Sequence, residues 1–146
     1  MRWNILYRGS LTSCNYSCTY CPFGKTKNTK YELTQDSQEL TNFKNWVQSR
    51  NEEIGVLMTP WGEGLIRSYY QKVMTELSHF QNVYRVAIQT NLSCSLDWMN
   101  NVNKKTFALW TTFHPTQTTV DKFLEKCFKL DEMLSLIHIS EPTRLG

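Results

Sequence analysis

Apolar and polar positions along this chain alternate between two periods. Trp3 to Arg8 (Trp-Asn-Ile-Leu-Tyr-Arg) is a run of strand formers stopped by Gly9, which predicts a first strand. Asp36 followed by Glu39 has the form of a capping box. Leu40, Phe43 and Val47 then recur on one helical face beside Trp46, so a helix is expected to about Arg50. Ile54 to Thr59 is short and continuously apolar, as in a strand covered on both faces. From Leu65 the period lengthens again, and Ile66, Tyr69, Tyr70, Val73, Met74, Leu77 and Phe80 draw the stripe of a second helix. Tyr84 to Thr90 reads as a third strand closed by Asn91, with a short helix around Leu96 to Asn101. Thr106 to Phe113 reads as a fourth strand stopped by His114-Pro115. Thr118 is placed to cap a last helix whose Val120, Phe123, Leu124, Cys127 and Phe128 keep the spacing of one buried face. Strand and helix in strict succession imply an α/β fold on a parallel sheet with right-handed crossovers.

Composition narrows the class without identifying it. The 146 residues suit one domain of ordinary size, and 40% hydrophobic with 13% aromatic residues is ample for a packed core. Sixteen basic against 13 acidic residues leave a net charge of +3, which does not indicate nucleic acid as a partner. Lys25, Lys27 and Lys30 cluster, but as a solvated loop. No charged-then-apolar leader and no apolar run of membrane-spanning length is visible, so a cytoplasmic, reducing compartment and no membrane are expected.

The strongest chemical signal is Ser13-Cys14-Asn15-Tyr16-Ser17-Cys18-Thr19-Tyr20-Cys21, which packs three of the five cysteines into eight residues. Spacers this short let three thiolates converge on one centre. A structural zinc site wants four protein ligands, usually as two separated pairs, and no second pair is present. Thiolates also hold iron-sulfur clusters, normally four of them for a four-iron cubane, so three cysteines leave one iron open. A disulfide framework fits poorly with an odd cysteine count and such tight spacing. The competing reading is a zinc-stabilised binding module without catalysis, with Cys94 or a histidine as its fourth ligand.

Cys14, Cys18 and Cys21, with Tyr20 before the last of them, resemble the signature of the radical S-adenosylmethionine superfamily. The resemblance implies a 4Fe-4S cluster on these three cysteines, S-adenosylmethionine on the open iron, and an electron donor such as flavodoxin or ferredoxin. It also implies hydrogen abstraction from a substrate by a 5'-deoxyadenosyl radical. For the fold it implies a partial (β/α) barrel, here the first four strand-helix units of an expected six. Gly62-Glu63 falls where the family shows a Gly-Gly-Glu run that meets the methionine amino group; Trp61 stands in place of the first glycine, and Gly64 where a proline often follows. Gln89 and Asn91 would be further cofactor contacts at the end of strand three, and Tyr20 would lie along the adenine. Thr112 and His114 end strand four on the same expected edge. His79 suits a helix terminus, Cys127 a core position and Cys94 a turn. Leu6-Tyr7-Arg8-Gly9 resembles a branch of the superfamily from which no substrate can be carried over.

Leu134 to Arg144 (Leu-Ser-Leu-Ile-His-Ile-Ser-Glu-Pro-Thr-Arg) is similar to an in-frame translation of a transposase sequencing adapter. Residues 1–133 are therefore expected to be the N-terminal part of a radical S-adenosylmethionine core and 134–146 a non-native tail. Strand four would then be an unpaired edge.

Overall fold

In the computed structural model, which describes residues 1–12, 27–113, 117–134 and 139–142, five strands pair in parallel in the order in which they occur along the chain. They are β1 (Arg2–Tyr7), β2 (Glu53–Met58), β3 (Val83–Thr90), β4 (Phe107–Phe113) and β5 (Ile139–Pro142). Helix α1 (Lys30–Gln48) joins β1 to β2, α2 (Ser68–Ser78) joins β2 to β3, and α3 (Val120–Leu134) follows β4. The β3–β4 connection carries only a short 3-10 helix, Asp97–Asn101. No helix among the described residues is long and apolar enough to cross a membrane.

Register puts all three helices on one face of the sheet. Tyr7, Met58, Ile88 and Leu109 lie in one cross-strand row, and Phe113 shares their face four residues beyond Leu109. Tyr7 packs on Phe43 of α1 and Phe113 on Phe123 of α3. The buried Tyr70, Val73, Met74 and Leu77 of α2 join Ile54, Val56, Val86 and Phe107 in the same core. Lys44 pairs with Glu76 to hold α1 against α2. Because strand order never reverses and parallel crossovers keep one hand, every helix falls on the same side. Among the described residues the other face of the sheet carries no helix. Cover on both sides of β2 comes from the helices on one side and, on the other, from Tyr84, whose ring lies across Gly55 and whose hydroxyl meets Asn4 Oδ1.

Three boundaries differ from expectation. The first helix begins at Lys30, capped by Thr29: Glu32 N–H donates to Thr29 Oγ1 at 3.2 Å, and Thr29 N–H to Glu32 Oε1 at 2.8 Å. Asp36 is therefore no cap; it is buried inside the helix as an acceptor for Ser10 N–H and Tyr69 O–H. The last helix is capped by Thr119, whose Oγ1 accepts Lys122 N–H, and not by Thr118. Its expected apolar face is split. Phe123, Cys127 and Leu130 are buried, whereas Val120, Leu124 and Phe128 are exposed, because one sheet face covers less of the helix circumference than the apolar stripe spans. Strand four is not an unpaired edge: residues 139–142, excluded from the fold by the sequence reading, pair with β4 from Trp110↔Ile139 to Phe113↔Pro142.

Replacing Thr29 by Ala removes one side of a reciprocal cap. Urea unfolding should show about 1 kcal/mol lower stability at unchanged m-value; no change would remove Thr29 as the start of α1.

Candidate functional site

The carboxyl ends of β1, β2 and β3 are laced together by side chains that the strand ends deliver side by side. Thr59 N–H donates to Tyr7 C=O at 2.9 Å, continuing the β1–β2 ladder one residue past β2. Arg8 turns back over the gap, with Nε on Thr59 C=O at 3.1 Å and its guanidinium 5.8 Å above the Trp61 ring. Gly62 N–H reaches Leu11 C=O at 3.2 Å.

Glu63 makes the next link. Its carboxylate is 3% exposed and accepts three hydrogen bonds: Thr90 Oγ1–H on Oε2 and Asn91 N–H on Oε1, both at 2.7 Å, and Leu65 N–H on Oε2 at 3.2 Å. The loop after β2 is thereby fixed to the end of β3. Burial pushes the Glu63 carboxyl above its ordinary range, opposed by its hydrogen bonds to Asn91, Thr90 and Leu65 and by the charge of Lys126. Gly64 follows because a Cβ there would stand 3.0 Å from the Tyr70 ring, against which the loop is pressed.

Beyond Thr90 the backbone turns sharply. Leu92 is buried with φ +62°, a left-handed conformation that a branched side chain adopts at a cost of order 1–3 kcal/mol. Thr90 Oγ1 accepts Leu92 N–H, and Asn91 Oδ1 accepts Ser93 N–H and Oγ–H. From α3, the Lys126 ammonium donates to both Leu92 C=O and Cys94 C=O at 2.9 Å. Burial pushes the Cys94 thiol up to about 11, so it keeps its proton near neutral pH.

The sequence-derived candidates thus divide. Gly62, Glu63 and Asn91 meet at this edge. Gln89 is exposed on the opposite, helix-free face, paired in register with Trp110. Cys14, Cys18, Cys21, Tyr20 and His114 lie outside the described residues, and of Thr112 the backbone alone is described, on β4. The flanks of the cysteine segment are described. Leu11 leaves β1 against Gly62, and Thr12 N–H donates to Asn28 Oδ1 at 2.8 Å, so the described residues on the two sides of the cysteine segment meet at this edge. Gly9, with φ +66°, makes the turn, and Ser10 is tied to α1 through Asp36 and Glu39. His79 ends α2 with a ring nitrogen 2.7 Å from Asn101 C=O, and Cys127 is a core residue.

Thr90 and Lys126 were missed as site residues. Thr90 shares the buried parity of Val86 and Ile88, and Lys126 falls between Phe123 and Leu130 on the sheet side of α3; both are signals of a polar group turned inward.

Glu63→Ala should cost about 2–4 kcal/mol, since it leaves one hydroxyl and two backbone N–H groups buried without an acceptor. The pH dependence has a defined sign. An unfolded glutamate ionises near its ordinary 4.5, while the folded carboxyl ionises higher. The native state therefore holds the extra proton between those values, and stability falls as pH rises through that window. Urea midpoints across a pH series should show this slope in the wild type and lose it in Glu63→Gln; an identical slope in both would refute the assignment.

Comparison with protein-family models, with curated proteins and with solved structures finds no match to this chain.

Proposed function

We propose that the chain carries the cofactor-binding part of a radical S-adenosylmethionine enzyme. The observation that supports this most is the Gly62 N–H to Leu11 C=O bond: the segment bearing Cys14, Cys18 and Cys21 departs from beside the Gly-Glu loop, at the carboxyl edge of a parallel sheet. Strand order without reversal and helices on one face favour a partial (β/α) barrel, in which that edge is where ligands bind. The residues fit the group. Three thiolates within eight residues suit three irons of a 4Fe-4S cluster, and Gly62 offers bare backbone next to Leu11, where the chain leads toward them.

When bound, cluster and S-adenosylmethionine supply a 5'-deoxyadenosyl radical that takes a hydrogen atom from substrate. The chain's own groups orient the cofactor. Glu63 has its oxygens occupied by Thr90, Asn91 and Leu65, so it acts as a positioning residue that holds the loop bearing Gly62 where the methionine end of the cofactor would lie. Asn91 is folded onto Ser93, which leaves the exposed Gln89 amide as the group free to reach the ribose. Tyr20 would lie along the adenine, and flavodoxin or ferredoxin would deliver the electron.

Anaerobic reconstitution with iron and sulfide tests the reading. A brown protein with about four irons per chain that releases 5'-deoxyadenosine from S-adenosylmethionine under reduction is expected, with Cys18→Ala losing both iron and product. A colourless protein holding stoichiometric zinc, or full iron retention in Cys18→Ala, would overturn it.

A further inference from the structure

The helix-free face of the sheet is graded from one end to the other. Near the amino edge Arg2 pairs with Glu53 at 3.0 Å and lies 4.2 Å above the Tyr84 ring. The Tyr84 ring crosses Gly55, where a Cβ would stand 2.8 Å from it. The next row is apolar: Leu6, Leu57 and Ala87 are cross-strand partners, and Leu6 is 60% exposed. Gln89 and Trp110 follow at the carboxyl edge. Arg85, Gly55, Tyr84 and the apolar row line one cavity of about 270 Å³.

Among the described residues three arginines serve this side of the sheet, and two are engaged. Arg2 is held by Glu53 and Tyr84, and Arg8 by Thr59 beneath Trp61. Among the described residues Arg85 has no hydrogen-bond, ion-pair or ring partner, although its long, entropically free side chain borders an apolar patch rather than an acidic one. A guanidinium so placed can pair through two N–H groups with two oxygens of a carboxylate or phosphate.

We propose that this face binds an amphiphile with an apolar body and a single terminal oxyanion, the oxyanion on Arg85 and the body along Leu6, Leu57 and Ala87. Gln89 lies four positions along β3 from Arg85, about 13 Å at a rise of about 3.3 Å per residue, so such a molecule reaches from the cation to the carboxyl edge. As the substrate class of the proposed radical enzyme this rests on the preceding reading; as a binding site it does not.

Isothermal titration of the full chain with octanoate, octyl phosphate and octanol, before any iron is added, separates the two. At least one of the anions should bind saturably and at least about 10-fold more tightly than octanol, and Arg85→Met should erase that preference while leaving octanol binding unchanged. Whichever anion binds better identifies the head group. Lack of saturable binding by either anion, equal affinity for anion and alcohol, or an unchanged preference in Arg85→Met overturns the inference. Failure of iron reconstitution with Arg85-dependent binding intact would sink the radical reading alone.

Discussion

Burying a carboxylate is costly unless its lone pairs find donors, and Glu63 meets that condition by drawing donors from two separate segments. Leu65 N–H comes from its own loop, while Thr90 and Asn91 come from the end of the neighbouring strand. The penalty for exposing those donors and the penalty for desolvating the carboxylate are satisfied together or not at all. That mutual dependence fixes the loop after β2 against the end of β3. Through Gly62 it also fixes the chain leaving β1. Leu92 can then hold its left-handed backbone, because Thr90 on one side and Lys126 on the other occupy its N–H and C=O.

A second buried acid does the corresponding work on α1. Asp36 is 1% exposed and takes Ser10 N–H at 3.0 Å and Tyr69 O–H at 2.6 Å, joining the turn after β1 to α1 and to the first turn of α2. Gly9 is left-handed there, and a Cβ at that position would come within 3.1 Å of Asp36 Oδ1. Two carboxylates therefore fix the chain where it leaves β1, Asp36 at Ser10 directly and Glu63 at Leu11 through the loop that carries Gly62.

Order and type of the elements were legible because apolar periodicity is imposed by the core, and the four strand-forming runs match β1 to β4 within about a residue. The start of α1 was not, although Thr29-Lys30-Tyr31-Glu32 carries the same box signature as the pair chosen. The first turns of α1 bury little, so the stripe that normally marks a helix starts late, and Asp36 beside it imitates a cap. The placement of Gly62, Glu63 and Asn91 at one edge was legible from topology. Their roles were not, since whether Glu63 serves a ligand or the fold depends on Thr90 Oγ1, a group whose partner lies 27 residues away. Pairing of residues 139–142 with β4 was hidden because those residues read as foreign to the chain.

Parity along β3 decides which of its polar groups are consumed by the fold. Val86, Ile88 and Thr90 face the helices, and Thr90 ends inside the Glu63 network; Arg85, Ala87 and Gln89 face the open side. A register irregularity produces this division. Ile54 pairs with Val83 and Gly55 with Arg85, so Tyr84 is an extra residue in β3, and Val83 and Val86 both reach the core despite an odd separation. The same insertion lays the Tyr84 ring across Gly55, where a larger residue would meet it, and so ends the open groove toward the amino edge. One added residue thus keeps valine packing intact while setting the Arg85 guanidinium and the Gln89 amide along a groove that leads to the carboxyl edge.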